Sequence, residues 1–334
     1  MARPHAVLLG AGASLAALPN GDKWGKRLPL MNNVVDVLEL GWVFEEHDIP
    51  YKGINFETLY SDLVIGGNHP EAVSAVEATA FSYFHGMRLP DHPTIYDHLV
   101  LSLRPKDFVA TFNWDPFLSQ AIERNYTQLD VDPPHIAYLH GCVRIGYCDK
   151  HAPITFGTVD GSCLRCGGEL TQSQLLYPVA QKNYASDSHC AAAWRDTQMV
   201  LNRAMIFTVF GYGAPSSDSE AIGLLKAGWG DTTERSNELV EIIDRPGRPR
   251  EELEELWAPF INEEGAEVWG DFYDSWIAKC TRRSCDGLWD QQMMLQSSYR
   301  DVPVPRELDF PELWEWYRPL IEAEKVQTKD AEQH

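Results

Sequence analysis

The stretch Ala6-Val7-Leu8-Leu9-Gly10-Ala11-Gly12-Ala13-Ser14 decides how this chain is read. Four apolar residues make a short buried strand, and the glycines behind them carry the backbone through a tight turn, Gly10 to Ser14. A strand running into such a turn is one way a protein meets a pyrophosphate with backbone N–H groups, and equally a plain tight turn.

Working outward, the same kind of short apolar run recurs. Strands are predicted at Phe108 to Thr111, His135 to Leu139, Met205 to Phe210, Leu239 to Ile243 and Glu267 to Trp269. Between them lie helical patterns: one from Val34, one starting at Asn55 as a candidate N-cap, and others over Glu71 to Met87, Tyr96 to Leu103 and Phe117 to Arg124. Strands alternating with helices predict an α/β fold, a Rossmann-like parallel sheet with helices on both faces. In such sheets ligands sit beyond the carboxyl ends of the strands. The Gly10 turn, Asn113 with Asp115, His140, Gly211 with Gly213, and Asp244 all fall at such ends.

Residues 142–190 show no sustained period and read as an inserted module. They carry Cys148-x-x-His151 and Cys163-x-x-Cys166, with eleven residues between the pairs. Each two-residue spacer lets one turn present two ligands, so Cys148, His151, Cys163 and Cys166 form a candidate closed, structural Zn2+ site. An alternative keeps His151 outside the shell, with Cys142 or water in its place. The organisation expected is therefore 1–141 as the first part of the sheet domain, 142–190 as the zinc module, 191–275 as the rest of the sheet domain, and 276–334 as a helical extension with a polar tail. In that extension a helix from Asp309 carries Leu313, Trp314, Tyr317, Leu320 and Ile321, a face for docking on its own domain or on a partner.

The 334 residues are 44% hydrophobic with a net charge of −21 and a pI near 4.8. That charge repels phosphate backbones, and no run of Lys and Arg offsets it, so no direct nucleic-acid binding is predicted. No apolar stretch approaches the roughly 20 residues that span a bilayer. The N-terminus has no secretion signal and the seven cysteines do not suggest a disulfide framework, so a cytoplasmic protein without membrane contact is expected.

Taken in order, Gly10-Ala11-Gly12-Ala13-Ser14, Thr111-Phe112-Asn113-Trp114-Asp115, Leu139-His140-Gly141, the four-ligand module and Gly211-Tyr212-Gly213 resemble the sirtuin family, in its divergent bacterial branch. The resemblance implies an NAD-binding Rossmann-like domain, a small zinc domain and a cleft between them where NAD+ is the substrate. It implies catalytic roles for Asn113, Asp115 and His140, and cofactor contacts from Gly10, Ala11, Gly12, Ala13, Ser14, Gly211, Gly213, Ser216 and Asp244. Asn113 would bind ribose hydroxyls or orient a water. Asp115 would stabilise positive charge or fix nicotinamide, and His140 would accept a proton. Each residue type also has a plainer use: Asn-x-Asp as a helix cap, His140 as a packed histidine, Asp244 in a turn.

The departures from protein-deacylating sirtuins are selective. Asp115 is followed by Pro116-Phe117-Leu118-Ser119-Gln120 rather than by a Leu-His and then an Ala-Gly. Leu18-Pro19-Asn20-Gly21-Asp22 stands where those enzymes carry Pro-Asp-Phe-Arg. Leu175 to Tyr184 contains no Phe-Gly-Glu segment to pair with an acyl-lysine peptide. The residues for NAD are present and those for a peptide are not. The expected function is thus an NAD+ glycohydrolase, a hydrolase acting in antiviral (anti-phage) defence by NAD depletion, as a homo-oligomer or with a partner such as a HerA-type ATPase. The alternatives are a deacylase with an atypical peptide groove and a non-catalytic NAD or ADP-ribose sensor.

Overall fold

The computed structural model describes residues 3–151, 156–158, 161–178, 184, 188–215, 218–293 and 301–332. Strands β1 (His5–Leu9), β2 (Phe108–Thr111) and β3 (His135–Tyr138) belong to the main sheet. The short strands β4 (Ile145–Tyr147), β5 (Phe156–Thr158) and β6 (Thr171–Gln172) follow, and the main sheet resumes with β7 (Ile206–Phe210), β8 (Leu239–Ile243) and β9 (Ala266–Trp269). The six long-range strands form one sheet in the order β3-β2-β1-β7-β8-β9, and every pairing is parallel. The predicted strands at Phe108 to Thr111 and Leu239 to Ile243 are met to the residue, and the others differ by one residue at an end. Their legibility has a simple cause: β1, β2 and β7 are buried along their whole length, so they read as mostly apolar runs, interrupted by His5, Thr111 and Thr208.

Helices cover both faces. Along β1, Val7 and Leu9 point into one core and Ala6 and Leu8 into the other, as the period of two demands. The first face carries α1 (Ala11–Ala17). Residues 34–85 then supply α2 (Val34–Val37), α3 (Gly41–Glu46), α4 (Phe56–Gly66) and α5 (Pro70–His85). These four helices enclose a third core of their own, centred on Leu40, Val43, Phe44 and Val76, which the sequence reading merges with the sheet domain. Asn55 does cap α4, accepting the Glu57 N–H at 2.9 Å. Helices α6 (Ile95–Ser102) and α7 (Phe117–Leu129) return to the first face.

The second face holds α8 (Ser188–Arg203), α9 (Ser219–Trp229) and α10 (Arg250–Trp257), with Trp194, Leu225 and Trp257 in its core. The sequence reading did not delimit these three helices. The chain ends with α11 (Trp276–Lys279), α12 (Ser284–Met293) and α13 (Phe310–Glu332). On α13, Leu313, Tyr317 and Ile321 recur every four residues and are at most 3% exposed, so this face docks on the chain's own first core rather than on a partner. Among the described residues no helix is long and apolar enough to cross a membrane.

The opening motif needs a correction. Only Gly10 is a junction, extended at φ −115° and ψ −177°, and Ala11–Ala17 is already helix. The glycines serve close approach. The loops after β1 and β7 interlock at the point where strand order reverses, with Gly12 N–H donating to Gly211 O at 2.8 Å and Gly10 N–H to Phe210 O at 2.9 Å. A Cβ on Gly12 would lie 2.7 Å from Gly211 Cα, and one on Gly211, at φ +64°, 2.2 Å from Ala13 N. Gly211→Ala therefore meets both a left-handed backbone and a backbone wall. We expect it to lower unfolding stability by roughly 3 kcal/mol or more, read as a drop in urea midpoint at unchanged slope. A shift smaller than about 1 kcal/mol would contradict the interlock.

Candidate active site

The parallel register brings residues far apart in sequence to one sheet edge. Asn113 lies two residues past β2, its N–H held by Thr111 Oγ1 at 3.0 Å. Its side-chain amide donates from Nδ2 to Gly10 O at 2.9 Å, Ser14 Oγ at 3.0 Å and Tyr96 OH at 3.2 Å. These acceptors fix the amide's orientation. Oδ1 is turned away from them, and among the described residues no hydrogen bond to it is found.

Ser14, on the first turn of α1, donates its hydroxyl to Asp115 Oδ2 at 2.6 Å. Asp115 Oδ1 accepts the Phe117 N–H at 3.3 Å and so also caps α7. The carboxyl is 5% exposed. Burial pushes its pKa up to about 6, against the opposing pull of the Ser14 hydroxyl and the Phe117 N–H. Near neutral pH it is largely ionised, and a perturbed carboxyl buried at a strand end is a candidate functional group.

His140 stands at the end of the neighbouring strand β3, 7% exposed. Its ring lies 4.6 Å from that of Phe112 and parallel to that of Tyr184, and its Nε2 is 3.2 Å from Tyr184 OH. Gly141 at φ +76° is required there, since a Cβ would come within 2.2 Å of Gln174 O. The returning chain is tied at this point by Leu176 N–H to His140 O at 3.0 Å. Tyr177 next to it packs on Trp114 and Tyr60, ring centres 4.8 and 5.3 Å away, and its hydroxyl donates to Glu77 O on α5 at 3.0 Å. Residues 173–178 thus bridge from His140 to the helical module formed by α2 to α5.

The remaining positions divide. Gly211 is fully engaged in the backbone interlock, whereas Gly213 faces open space. The N–H groups of Gly12 and Ala13 bond to Gly211 O and Gly10 O, so the loop's donors are partly in use within the protein. Asp244 lies at the end of β8, and its carboxylate accepts Arg245 N–H at 2.6 Å and Arg248 Nη1 at 2.8 Å, which holds its own turn together. Ser216 lies outside the described residues. Tyr96 and Tyr184 were missed by sequence reading, because single tyrosines in an apolar pattern look like packing.

The inserted module folds around the metal set. Strands β4, β5 and β6 form an antiparallel sheet, and the ligand atoms of Cys148, His151, Cys163 and Cys166 all lie within 4.8 Å of one another. Cys148 Sγ is 3.4 Å from His151 Nδ1 and 3.7 Å from Cys166 Sγ, and Cys163 Sγ is 3.4 Å from His151 Nδ1. Zn–S and Zn–N bonds of about 2.3 and 2.0 Å in a tetrahedron give edges of about 3.8 Å between sulfurs and about 3.5 Å between sulfur and nitrogen. Three thiolates and an imidazole at this spacing suit zinc. Cys142 is elsewhere, fully buried, with its thiol directed at Asp115 O at 3.6 Å and pushed up to about 12 by burial. The cluster that could hold the metal thus includes His151 and not Cys142.

A cavity of about 920 Å3 lies at the opposite, amino end of the strands, against Pro4, Lys106, Gln198 and Arg203. None of the residues singled out above borders it.

No family model matches the chain, and no curated protein does. Solved structures offer distant likenesses. The chain is similar to Sir2 structures. One is a Sir2 homolog–NAD complex, 13% identical with a TM-score of 0.44, over 87% of this chain and 91% of that one. Another is Sir2 bound to acetylated peptide, 15% identical with a TM-score of 0.39, over 80% and 88%. A mutant Sir2 homologue in complex with ADP-ribose is 12% identical with a TM-score of 0.43, over 88% and 94%. Similarity at this level decides nothing about the chemistry, which rests on the residues and distances above.

Proposed function

We propose that this chain is a sirtuin-like NAD+ glycohydrolase that cleaves NAD+ to nicotinamide and ADP-ribose, with Asn113, Asp115 and His140 as its catalytic residues. The observation that carries the reading is the convergence of Ser14, Asn113 and Asp115 at the point of strand reversal, with the Asn113 amide oriented so that an acceptor oxygen is presented away from its anchors.

Nicotinamide in NAD+ leaves as a neutral molecule from a cationic centre, so no general acid is required. Cleavage passes through an oxocarbenium-like state. Asn113 Oδ1 takes a ribose hydroxyl or the attacking water and fixes its angle, which is where most of the gain from orientation arises. The Asp115 carboxylate supplies negative charge in a site that excludes bulk water. His140 takes the proton released when water adds at the anomeric carbon. Water as acceptor is favoured by the lack, in Leu175 to Tyr184, of the Phe-Gly-Glu segment that would pair with an acyl-lysine peptide. The setting implied by the sequence resemblance is NAD depletion in anti-phage defence in the cytoplasm, in an oligomer or with a HerA-type ATPase partner.

The deciding measurement is nicotinamide release from NAD+ with and without an acyl-lysine peptide. Equal release in both, with one ADP-ribose per nicotinamide, is expected. The rate should climb as pH rises through about 6, because Asp115 loses its proton there. Release only with peptide would make the protein a deacylase, and binding without release a sensor.

A further inference from the structure

Tyr96 belongs to none of the motifs, yet it closes the hydrogen-bond circuit of the site. It is 1% exposed, and its hydroxyl lies 2.6 Å from Ser14 Oγ and 3.2 Å from Asn113 Nδ2. The directions follow from the donor inventory. Ser14 gives its only proton to the Asp115 carboxylate, so Ser14 Oγ can only accept from Tyr96, and the phenol oxygen in turn accepts from Asn113. Burial holds the phenol far above its usual range, so it remains a donor at every working pH.

The helix that carries Tyr96 is held at both ends by the C-terminal part of the chain. At its start, Asp97 accepts Thr94 N–H and Oγ1 at 2.7 and 2.8 Å, and Asn125 Nδ2 at 2.8 Å. Asn125 Oδ1 then accepts Trp314 Nε1 of α13 at 2.8 Å. At its end, Ser102 Oγ meets Tyr317 OH of α13 at 3.0 Å. Arg282 donates to Leu101 O and Leu103 O, both at 3.0 Å, while its other nitrogens reach Glu324 of α13 at 2.6 and 2.8 Å.

We infer that Tyr96 is a positioning residue for the Ser14–Asn113–Asp115 group, and that α13 sets its place through α6. The inference rests on the proposed function for what the group does, but not for how it is held. The titratable groups facing Asp115 are Tyr96 from α6, Tyr138 from β3 and Cys142 beyond β3, all held neutral by burial. At unchanged burial and with the Phe117 N–H bond kept, a shift in the titration of Asp115 reports its bond from Ser14, which the Tyr96 hydroxyl polarises.

Tyr96→Phe in the full chain keeps the ring and removes only the hydroxyl. Carbon-13 NMR of the Asp115 carboxyl, without NAD+, should show its midpoint raised by about half a pH unit or more. Nicotinamide release should show kcat lowered about tenfold with KM within about threefold. The thermal midpoint should stay within a few degrees of wild type. Trp314→Phe, which removes the indole bond to Asn125 and part of the ring packed on Phe310, should move both readouts in the same direction by less. An unshifted carboxyl midpoint, or an unchanged kcat, in Tyr96→Phe overturns the inference. A wild-type protein that releases no nicotinamide would instead refute the proposed function, and the carboxyl titration would still decide whether Tyr96 positions the group.

Discussion

Asn113→Ala should reduce nicotinamide release by about a thousandfold, and His140→Ala by about a hundredfold or more. Removing Asn113 deletes the oriented acceptor and also frees Ser14, Gly10 O and Tyr96 from a shared donor. The effect on kcat should exceed that on KM, because orientation matters most in the transition state. His140 is held by ring contacts with Phe112 and Tyr184, so its loss would remove the proposed proton acceptor and open a gap that water can enter. The double variant should be little worse than Asn113→Ala, since residues acting on one step do not contribute additively. ADP-ribose binding by calorimetry distinguishes loss of chemistry from loss of the site. Full turnover by both single variants would refute the assignment of the site.

Stripping the metal should unfold the inserted module and leave the sheet standing. The module's own strands are three, three and two residues long, and among the described residues the apolar cluster at the ligands is Cys148, Cys163 and Leu170. Such a core cannot repay the ordering entropy of the loops. Structural zinc supplies about 10–16 kcal/mol of apparent binding energy in comparable small domains. The purified protein should hold about one equivalent of zinc. Treatment with a strong chelator, or Cys163→Ser, should expose the module to proteolysis while the far-ultraviolet signal of the sheet domain persists. NAD+ cleavage should fall with it, because Leu176 at the module's exit is bonded to His140 O. Less than about half an equivalent of zinc, or unchanged proteolysis after chelation, would count against a structural metal.

The elements that were legible share one property, and so do those that were not. β2 and β8 are readable because strands buried on both faces leave short, mostly apolar runs, each with one polar residue, Thr111 and Glu241. The metal ligands were readable because two-residue spacers encode a turn. Helices α2 to α5 look no different in pattern from the rest, so nothing local says that Val43, Phe44 and Val76 build a separate core. The face of α13 was equally ambiguous, since an apolar stripe fits a partner or the chain's own domain until Leu313 and Tyr317 are seen buried. Gly12 shows the opposite error: a glycine in the first turn of α1 reads as part of a loop because its reason lies on Gly211.

By itself the sequence determined the six strands of the main sheet, the order of the motifs along them and the cysteines of the metal site. All three are written in local spacing and burial. Tertiary structure alone decided which groups meet at the sheet edge and how. Asn113 reaches Gly10 across 103 residues, Ser14 reaches Asp115 across 101, and His151 rather than Cys142 joins the thiolates. The direction of each hydrogen bond, and Tyr96 as the donor that completes them, exist only once the parallel register of β1 and β2 has brought those chain segments side by side.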